Sequence, residues 1–298
     1  MKAGEPMPVR QQPRGRKTQE ATPGLVRSCR RDWVQAAPWQ RGIHRIEAYF
    51  SGEAYAPHRH DTYSIGYTLG GVQSFDYRGA RADSTPGKVM VLHPDEIHNG
   101  QAGSAEGFHY RMLYIEPALI QKALGSGASA LPFVKQAVLE DPGLRQALHV
   151  ALADLTHVFE PVALDEITVL LADALLAQDL SARRGGGGTA LVDAPAVFRA
   201  RDYLEASFER RVTSQDLEQA TGLDRYALAR QFRRVLGTSP YRYLIMRRLD
   251  HTRAEIARGA TLADAAFAAG FSDQAHMSRK FKAAYGVSPG QWKQLLLP

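Results

Sequence analysis

The hydrophobic pattern changes period near residue 117. Before it, short runs rich in β-branched and aromatic residues predict strands at 46–50 (IEAYF), 63–69 (YSIGYTL), 74–79 (SFDYRG), 88–92 (KVMVL) and 108–115 (FHYRMLYI). Gly-Gly at 70–71, Arg-Gly at 78–79 and Thr-Pro-Gly at 85–87 separate them. Tyr63, Ile65, Tyr67 and Leu69 alternate with Thr62, Ser64, Gly66 and Thr68, which suits a sheet with two unlike faces. Beyond residue 117 the apolar positions fall at helical spacing. Helices are predicted over 117–125, 131–140, 142–158 and 162–182.

After a Gly-rich stretch at 183–194, taken as a linker, one pattern occurs twice. In the first copy Thr213 and Asp216 form a capping pair, Gly222 supplies a left-handed turn, and Asp224 caps a second helix. Leu228, Phe232, Val235 and Leu236 share the back of that helix, and Tyr226, Ala229, Arg230 and Arg233 its front. The second copy has Thr261 and Asp264, Gly270, and a cap at Ser272 or Asp273. Its back is Met277, Phe281, Ala284 and Tyr285, and its front Ala275, Ser278, Arg279 and Lys282. Matching backs imply one fold used twice, and differing fronts imply two tasks. A short helix, a Gly turn and a second helix with an Arg-rich face define a helix-turn-helix, placed at about 213–237 and 261–286. A helical solenoid would need about three repeats or more.

Between the copies, Pro240 and Gly259 frame a helix of ~18 residues, ~27 Å long. That length suits holding two reading helices about one duplex turn (~34 Å) apart. Charge sharpens the division. Residues 1–31 carry eight basic against two acidic residues, and 195–298 carry 17 against 10. Within a total of +6, residues 32–194 are left with −7. A basic module calls for a polyanionic partner, and an acidic one has a different task. Residues 1–31 read as a disordered basic arm. A single cysteine, Cys29, excludes a disulfide framework and suits a reducing cytoplasm. No apolar run reaches the ~20 residues that span a bilayer, so no membrane partner is expected.

The segment GFSDQAHMSRKFKAAYGVSP, Gly270 to Pro289, resembles the signature of the AraC/XylS family of bacterial transcription regulators, and residues 195–298 resemble its DNA-binding domain. The Gly-Phe-Ser-Asp turn, Arg279, the Phe281-Lys282 pair and Gly286-Val287-Ser288-Pro289 carry the match. The resemblance places Arg225, Tyr226, Ala229 and Arg230 at the first reading helix, and Gln274, Ala275, His276, Ser278 and Arg279 at the second. Arg pairs bidentately with guanine and Gln with adenine, whereas Ala offers only packing against a thymine methyl. Arg233, Lys280 and Lys282 suit phosphates better.

Upstream, PHRHDTYSIGYTLGG at 57–71 and PGKVMVLHPDEIHNG at 86–100 resemble the two halves of a cupin β-barrel. The resemblance implies an α+β chain: a cupin-like barrel with a helical subdomain over 32–182, then an all-α tandem helix-turn-helix domain. It implies a small-molecule effector inside the barrel, with His58, His60, Tyr63, Tyr67, His98 and Arg111 as candidate contacts. His58, His60 and His98 are the candidates for a metal, but the Glu of metal-binding cupins is missing, with Thr62, Tyr63 and Ser64 in its place, so no cofactor is expected. Family helices like 162–182 pack as dimers, which implies a homodimer through Ile167, Leu170, Leu171, Ala174 and Leu175; their covering the barrel's own flank is the alternative. The expected function is a ligand-controlled regulator, an activator that contacts promoter DNA and RNA polymerase. A cupin-type metalloenzyme fused to a DNA-targeting domain, and a ligand-independent DNA binder, are the alternatives. No nucleophile with a partner base emerges, so an enzyme is not expected.

Overall fold

The computed structural model describes residues 32–125, 130–179 and 192–296. The basic arm and residues 183–191 of the linker lie outside them. Ten strands form two sheets: β1 (Trp33–Ala36), β2 (Ile43–Phe50), β3 (Glu53–His58), β4 (Tyr63–Gly71), β5 (Gln73–Tyr77), β6 (Ala80–Ser84), β7 (Val89–Leu92), β8 (His98–Ala102), β9 (Phe108–Ile115) and β10 (Val138–Leu139). One sheet runs β1-β2-β9-β4-β7-β10 and the other β3-β8-β5-β6, all pairs antiparallel. The two share an interior but do not close into one continuous hydrogen-bonded barrel.

Alternation along the central strands decides which side chains see that interior. On β9, Phe108, Tyr110 and Met112 point into it, while Leu113 and Ile115 face a helical layer on the other side. On β4, Tyr63 and Ile65 join the helical side. That layer comprises α1 (Pro117–Leu124), α2 (Pro142–Leu152) and α3 (Pro161–Gln178). Ile167, Leu171 and Leu175 of α3 are buried in the chain's own core, where α3 packs on α1 and α2, so the predicted dimer stripe is divided: only Leu170, with Val162 and Val169, stays exposed. The helix predicted over 131–140 is absent. Pro132 accepts the Tyr63 hydroxyl and the Val134 amide donates to His93, so side chains take backbone groups a helix would use, and 138–139 pair with β7 instead. Helix α2 stops at Leu152 because Arg45, 2 % exposed, receives the chain beyond it. Its guanidinium donates to the carbonyls of Ala151, Asp154 and His157 and lies over Phe159.

The C-terminal part is helical: α4 (Ala194–Ala206), α5 (Ser214–Thr221), α6 (Arg225–Leu236), α7 (Pro240–Ala257), α8 (Leu262–Ala268), α9 (Gln274–Tyr285) and α10 (Pro289–Leu295). Both helix-turn-helix units form from the predicted residues. Thr213 and Asp216 make a reciprocal capping box, Gly222 is left-handed, and Asp224 accepts the Tyr226 and Ala227 amides. Asp273, rather than Ser272, caps α9 by accepting the His276 amide.

The two units are covered differently. Leu228, Phe232 and Val235 of α6 pack with α4, α5 and Ala118 of α1. Met277 and Phe281 of α9, Met246 and Leu249 of α7, and Trp292 of α10 join the interior core between the sheets. The second unit therefore shares one hydrophobic core with the β-domain.

Candidate DNA interface and effector cavity

The DNA-facing candidates are largely on the surface. Tyr226 is 70 % exposed, and Arg225, Ala229, Arg230 and Arg233 are exposed with it on α6. On α9, Gln274, Ala275, Arg279 and Lys282 are exposed, while His276, Ser278 and Lys280 are half-buried. Several are already engaged. Glu218 accepts from the Arg225 side chain at 2.9 and 3.2 Å and from its amide, which turns that guanidinium toward α5. His276 packs edge-on against Phe271, and the Lys280 ammonium lies 5.6 Å over the Tyr241 ring. Arg230, Arg233, Arg279 and Lys282 are exposed and make no ion pair among the described residues.

A cavity of about 70 Å³ lies between the sheets and the C-terminal helices. His58, His60 and His98 line it with Tyr55, Tyr110 and Tyr114 from the β-domain; Met246, Arg247, Asp250 and Arg253 of α7, with Tyr285 and Trp292, line it from the other half. Tyr63, Tyr67 and Arg111 do not. Tyr63 is fully buried under the helical layer and donates to Pro132. Tyr67 packs on the same layer. Arg111 bonds Glu47 and the carbonyls of Leu152 and Ala153 on the outer face. These three side chains sit on the opposite side of the six-stranded sheet from the cavity. Choosing an interior face of β4 and β9 needs the register, in which Ser64 opposes Tyr114.

The histidines are held with one nitrogen committed. Nδ1 of His58, His60 and His98 faces the carbonyl of Ala56, Thr62 and Glu96, at 2.9, 3.2 and 3.0 Å. A carbonyl only accepts, so each Nδ1 carries the proton and donates, and each Nε2 is left as an acceptor. Nε2 of His60 accepts the Ser64 hydroxyl at 3.0 Å. Burial pushes His58 down to about 3 and His98 to about 4, and holds His60 well below its ordinary value; mutual repulsion adds to the effect at His58 and His60. All three are neutral imidazoles near pH 7. One ligand atom from each lies within 4.8 Å of the others, so this trio can hold a metal ion.

Across the cavity, Arg247 binds Asp61 at 3.2 Å, Asp250 at 3.1 Å, and Glu116. Asp61 is 1 % exposed and belongs to the β-domain; burial, with Asp250 and Glu116 nearby, pushes it up to about 7 against the pull of Arg247. Arg253 donates to His44, which burial keeps neutral. Asp61 Oδ1 and Arg253 Nε, both buried and on residues lining the cavity, have no hydrogen-bond partner. An unmet acceptor and an unmet donor on residues lining one cavity are what a polar effector would satisfy. Arg242 adds a further link, binding Asp95 and the Arg59 carbonyl. None of these C-terminal arginines is distinguishable in sequence from a solvated helix charge.

An effector cavity walled in part by a helix that joins two helix-turn-helix units defines a class: a one-chain regulator with a ligand-binding β-domain and a DNA-binding domain. Residues 41–175 match the AraC-like ligand binding domain family, and residues 217–295 a helix-turn-helix domain family. The chain is an AraC-type transcriptional regulator. It is 28 % identical over 244 residues to the uncharacterized HTH-type transcriptional regulator YbfI of Bacillus subtilis, which is 78 % of this chain and 86 % of that protein. It is 28 % identical over 93 residues to the probable transcriptional regulator LumQ of Photobacterium leiognathi, 31 % of this chain and 38 % of LumQ. Among solved structures, ToxT from Vibrio cholerae matches with a TM-score of 0.60 at 12 % identity, over 87 % of this chain and 100 % of ToxT. ToxT with an unsaturated fatty acid bound matches at 0.58 and 13 %, over 90 % and 98 %. At such identities the likeness is one of fold.

Proposed function

We propose that α6 and α9 read two successive major-groove segments of promoter DNA, and that an effector in the interdomain cavity sets how they do so. The observation that carries this reading is the double ownership of the cavity wall. Met246, Arg247 and Arg253 sit on α7, the helix connecting the two reading units, so any effector that contacts them bears on the placement of both. A void of about 70 Å³ is smaller than a drug-sized ligand needs. Such an effector therefore moves the wall as it enters, and differential affinity for two arrangements shifts the chain between them. The unsaturated fatty acid held by ToxT supports this use of the fold. Activation through RNA polymerase, a cytoplasmic location, and pairing of two chains through Val162, Val169 and Leu170 complete the reading.

In this reading Arg230 and Arg279 read bases, and Lys282 anchors the backbone. Arg230→Ala and Arg279→Ala are expected to lower the specific-to-nonspecific binding ratio by ~1–3 kcal/mol, and Lys282→Ala to weaken all sequences alike. Quantitative binding to a selected operator and to scrambled DNA, at one salt concentration, measures both. Uniform losses from the two Arg variants would refute the assignment. The cupin-type enzyme alternative predicts turnover of a small molecule by the purified chain. The ligand-independent alternative predicts binding indifferent to sequence.

A further inference from the structure

Arg242, Arg247, Arg248 and Arg253 of α7 are all half-buried, but they do not all turn the same way. Three of them bind the β-domain: Arg242 at Asp95, Arg247 at Asp61 and Glu116, and Arg253 at His44. Arg248 turns to the connection between α4 and α5. Its Nε donates to the Phe208 carbonyl at 2.7 Å, and its Nη2 to the Arg210 carbonyl at 2.9 Å. The Phe208 ring packs against His251 of α7, with centroids 5.1 Å apart.

The same connection meets the second unit from the other side. Gly270, in the turn between α8 and α9, approaches so closely that a Cβ on it would stand 2.4 Å from the Glu209 carbonyl oxygen. The Arg248 guanidinium also lies over the ring of Phe271, the next residue of that turn, at 5.9 Å. Residues 208–210 are therefore held between the two units. In one direction they run into Thr213, the cap of α5. Across the contact, the turn at Gly270 runs into Gln274, the first residue of α9.

Hydrophobic packing leaves one degree of freedom for this contact to set. The back of α6 belongs to one core and the back of α9 to another. Helix α7 feeds both, with Tyr243 and Leu244 in the first and Ile245, Met246 and Leu249 in the second. A rod shared by two cores sets how far apart the units lie along its axis. The angle between them about that axis needs a lateral contact. For two successive grooves that angle matters, because one base pair turns the groove by about 34°.

We propose that Arg248 fixes this angle by clamping residues 208–210 against the turn before α9, and so determines which spacing between the two groove segments the protein accepts. The proposal rests on the two-segment reading above. Arg248 acts through the backbone it holds, as a positioning residue. Its planar fork bonds two carbonyls at once, a geometry that the point charge of a lysine does not reproduce.

The test uses the full chain and an operator selected in vitro, with derivatives that gain or lose one base pair between the two protected segments. The unaltered chain should lose at least about 10-fold in affinity on each derivative, the size of a mismatched base pair. Arg248→Gln and Arg248→Lys should cut that penalty to about 3-fold or less, while base substitutions inside either segment keep their full cost. A structural role alone, or a lost phosphate contact, would lower affinity alike at every spacing. Circular dichroism and thermal unfolding establish that the variants fold. If they do not, one glycine inserted between Arg211 and Val212 frees the first unit from the clamped connection with Arg248 in place, and should relax the spacing preference equally. Spacing penalties unchanged in the folded variants, affinity lowered equally at all spacings, or a lysine variant as selective as the unaltered chain would each overturn the proposal. An unaltered chain indifferent to spacing would refute the two-segment reading itself, and the proposal with it.

Discussion

Arg247→Met is expected to destabilise the chain by about 3–5 kcal/mol in chemical denaturation, the cost of leaving buried carboxylates without their cation. Arg247 is the sole described side chain that binds both Asp61 and Glu116 of the β-domain, and it holds Asp250 of its own helix as well. With it gone, three carboxylates face one another beneath the cavity. The loss should not be confined to global stability. Amides of α9 and α10, whose core residues Phe281 and Trp292 pack between the two halves, should exchange faster with solvent, because the second helix-turn-helix loses its polar tether. Neutralising the partners together with the arginine, as Arg247→Met with Asp61→Asn, Glu116→Gln and Asp250→Asn, should return most of the lost stability, since an uncharged cluster has no charge to desolvate. A single substitution costing under about 1 kcal/mol would mean that the network is hydrated and does not hold the halves together.

Gly270→Ala should cost at least about 3 kcal/mol, and Gly222→Ala about 1 kcal/mol, although both glycines occupy the same place in their repeats. Both are left-handed, with φ of 75° and 76°. A Cβ at Gly222 meets nothing within 4 Å, so the substitution pays only for the backbone conformation. A Cβ at Gly270 would overlap the Glu209 carbonyl and lie 2.9 Å from the Glu209 Cα, so the segment after α4 must be pushed away. Paired denaturation curves of the two variants measure the difference. Equal losses would show that the turn after α8 is free to move off Glu209. The expected functional consequence is that Gly270→Ala loses protection at the second groove segment first.

The helix-turn-helix units were legible residue by residue because their signals are local. Thr213, Asp224, Thr261 and the left-handed glycines act within four residues of themselves, and the backs of α6 and α9 follow from helical period alone. The strands around Ile46, Tyr63, Phe75, Val89 and Phe108 were legible for the same reason. Strands β3 and β8 were not, since Glu53–His58 contains a proline and His98–Ala102 has almost no apolar residue, yet they position the three histidines. The pairing of His58 with His98 is a matter of register between strands some forty residues apart, which no local pattern carries. Alternation gives two faces without saying which is inside, so by sequence alone Tyr63, Tyr67 and Arg111 are as eligible for the cavity as the neighbours that line it. Docking of α9 against the β-domain was hidden because Phe281 and Trp292 look alike whether they cover neighbouring helices or a sheet. Arg247 was hidden because a buried arginine is written with the same letter as a solvated one.

Hydroxyl-radical footprinting of the chain on a selected operator tests the central claim most directly. The account predicts two protected segments about one helical turn apart on one side of the duplex, with the separation kept in a single-site complex and altered protection on effector binding. Arg230→Ala should weaken one segment and Arg279→Ala the other. Protection of one segment only, with both variants acting on it alike, would contradict the account.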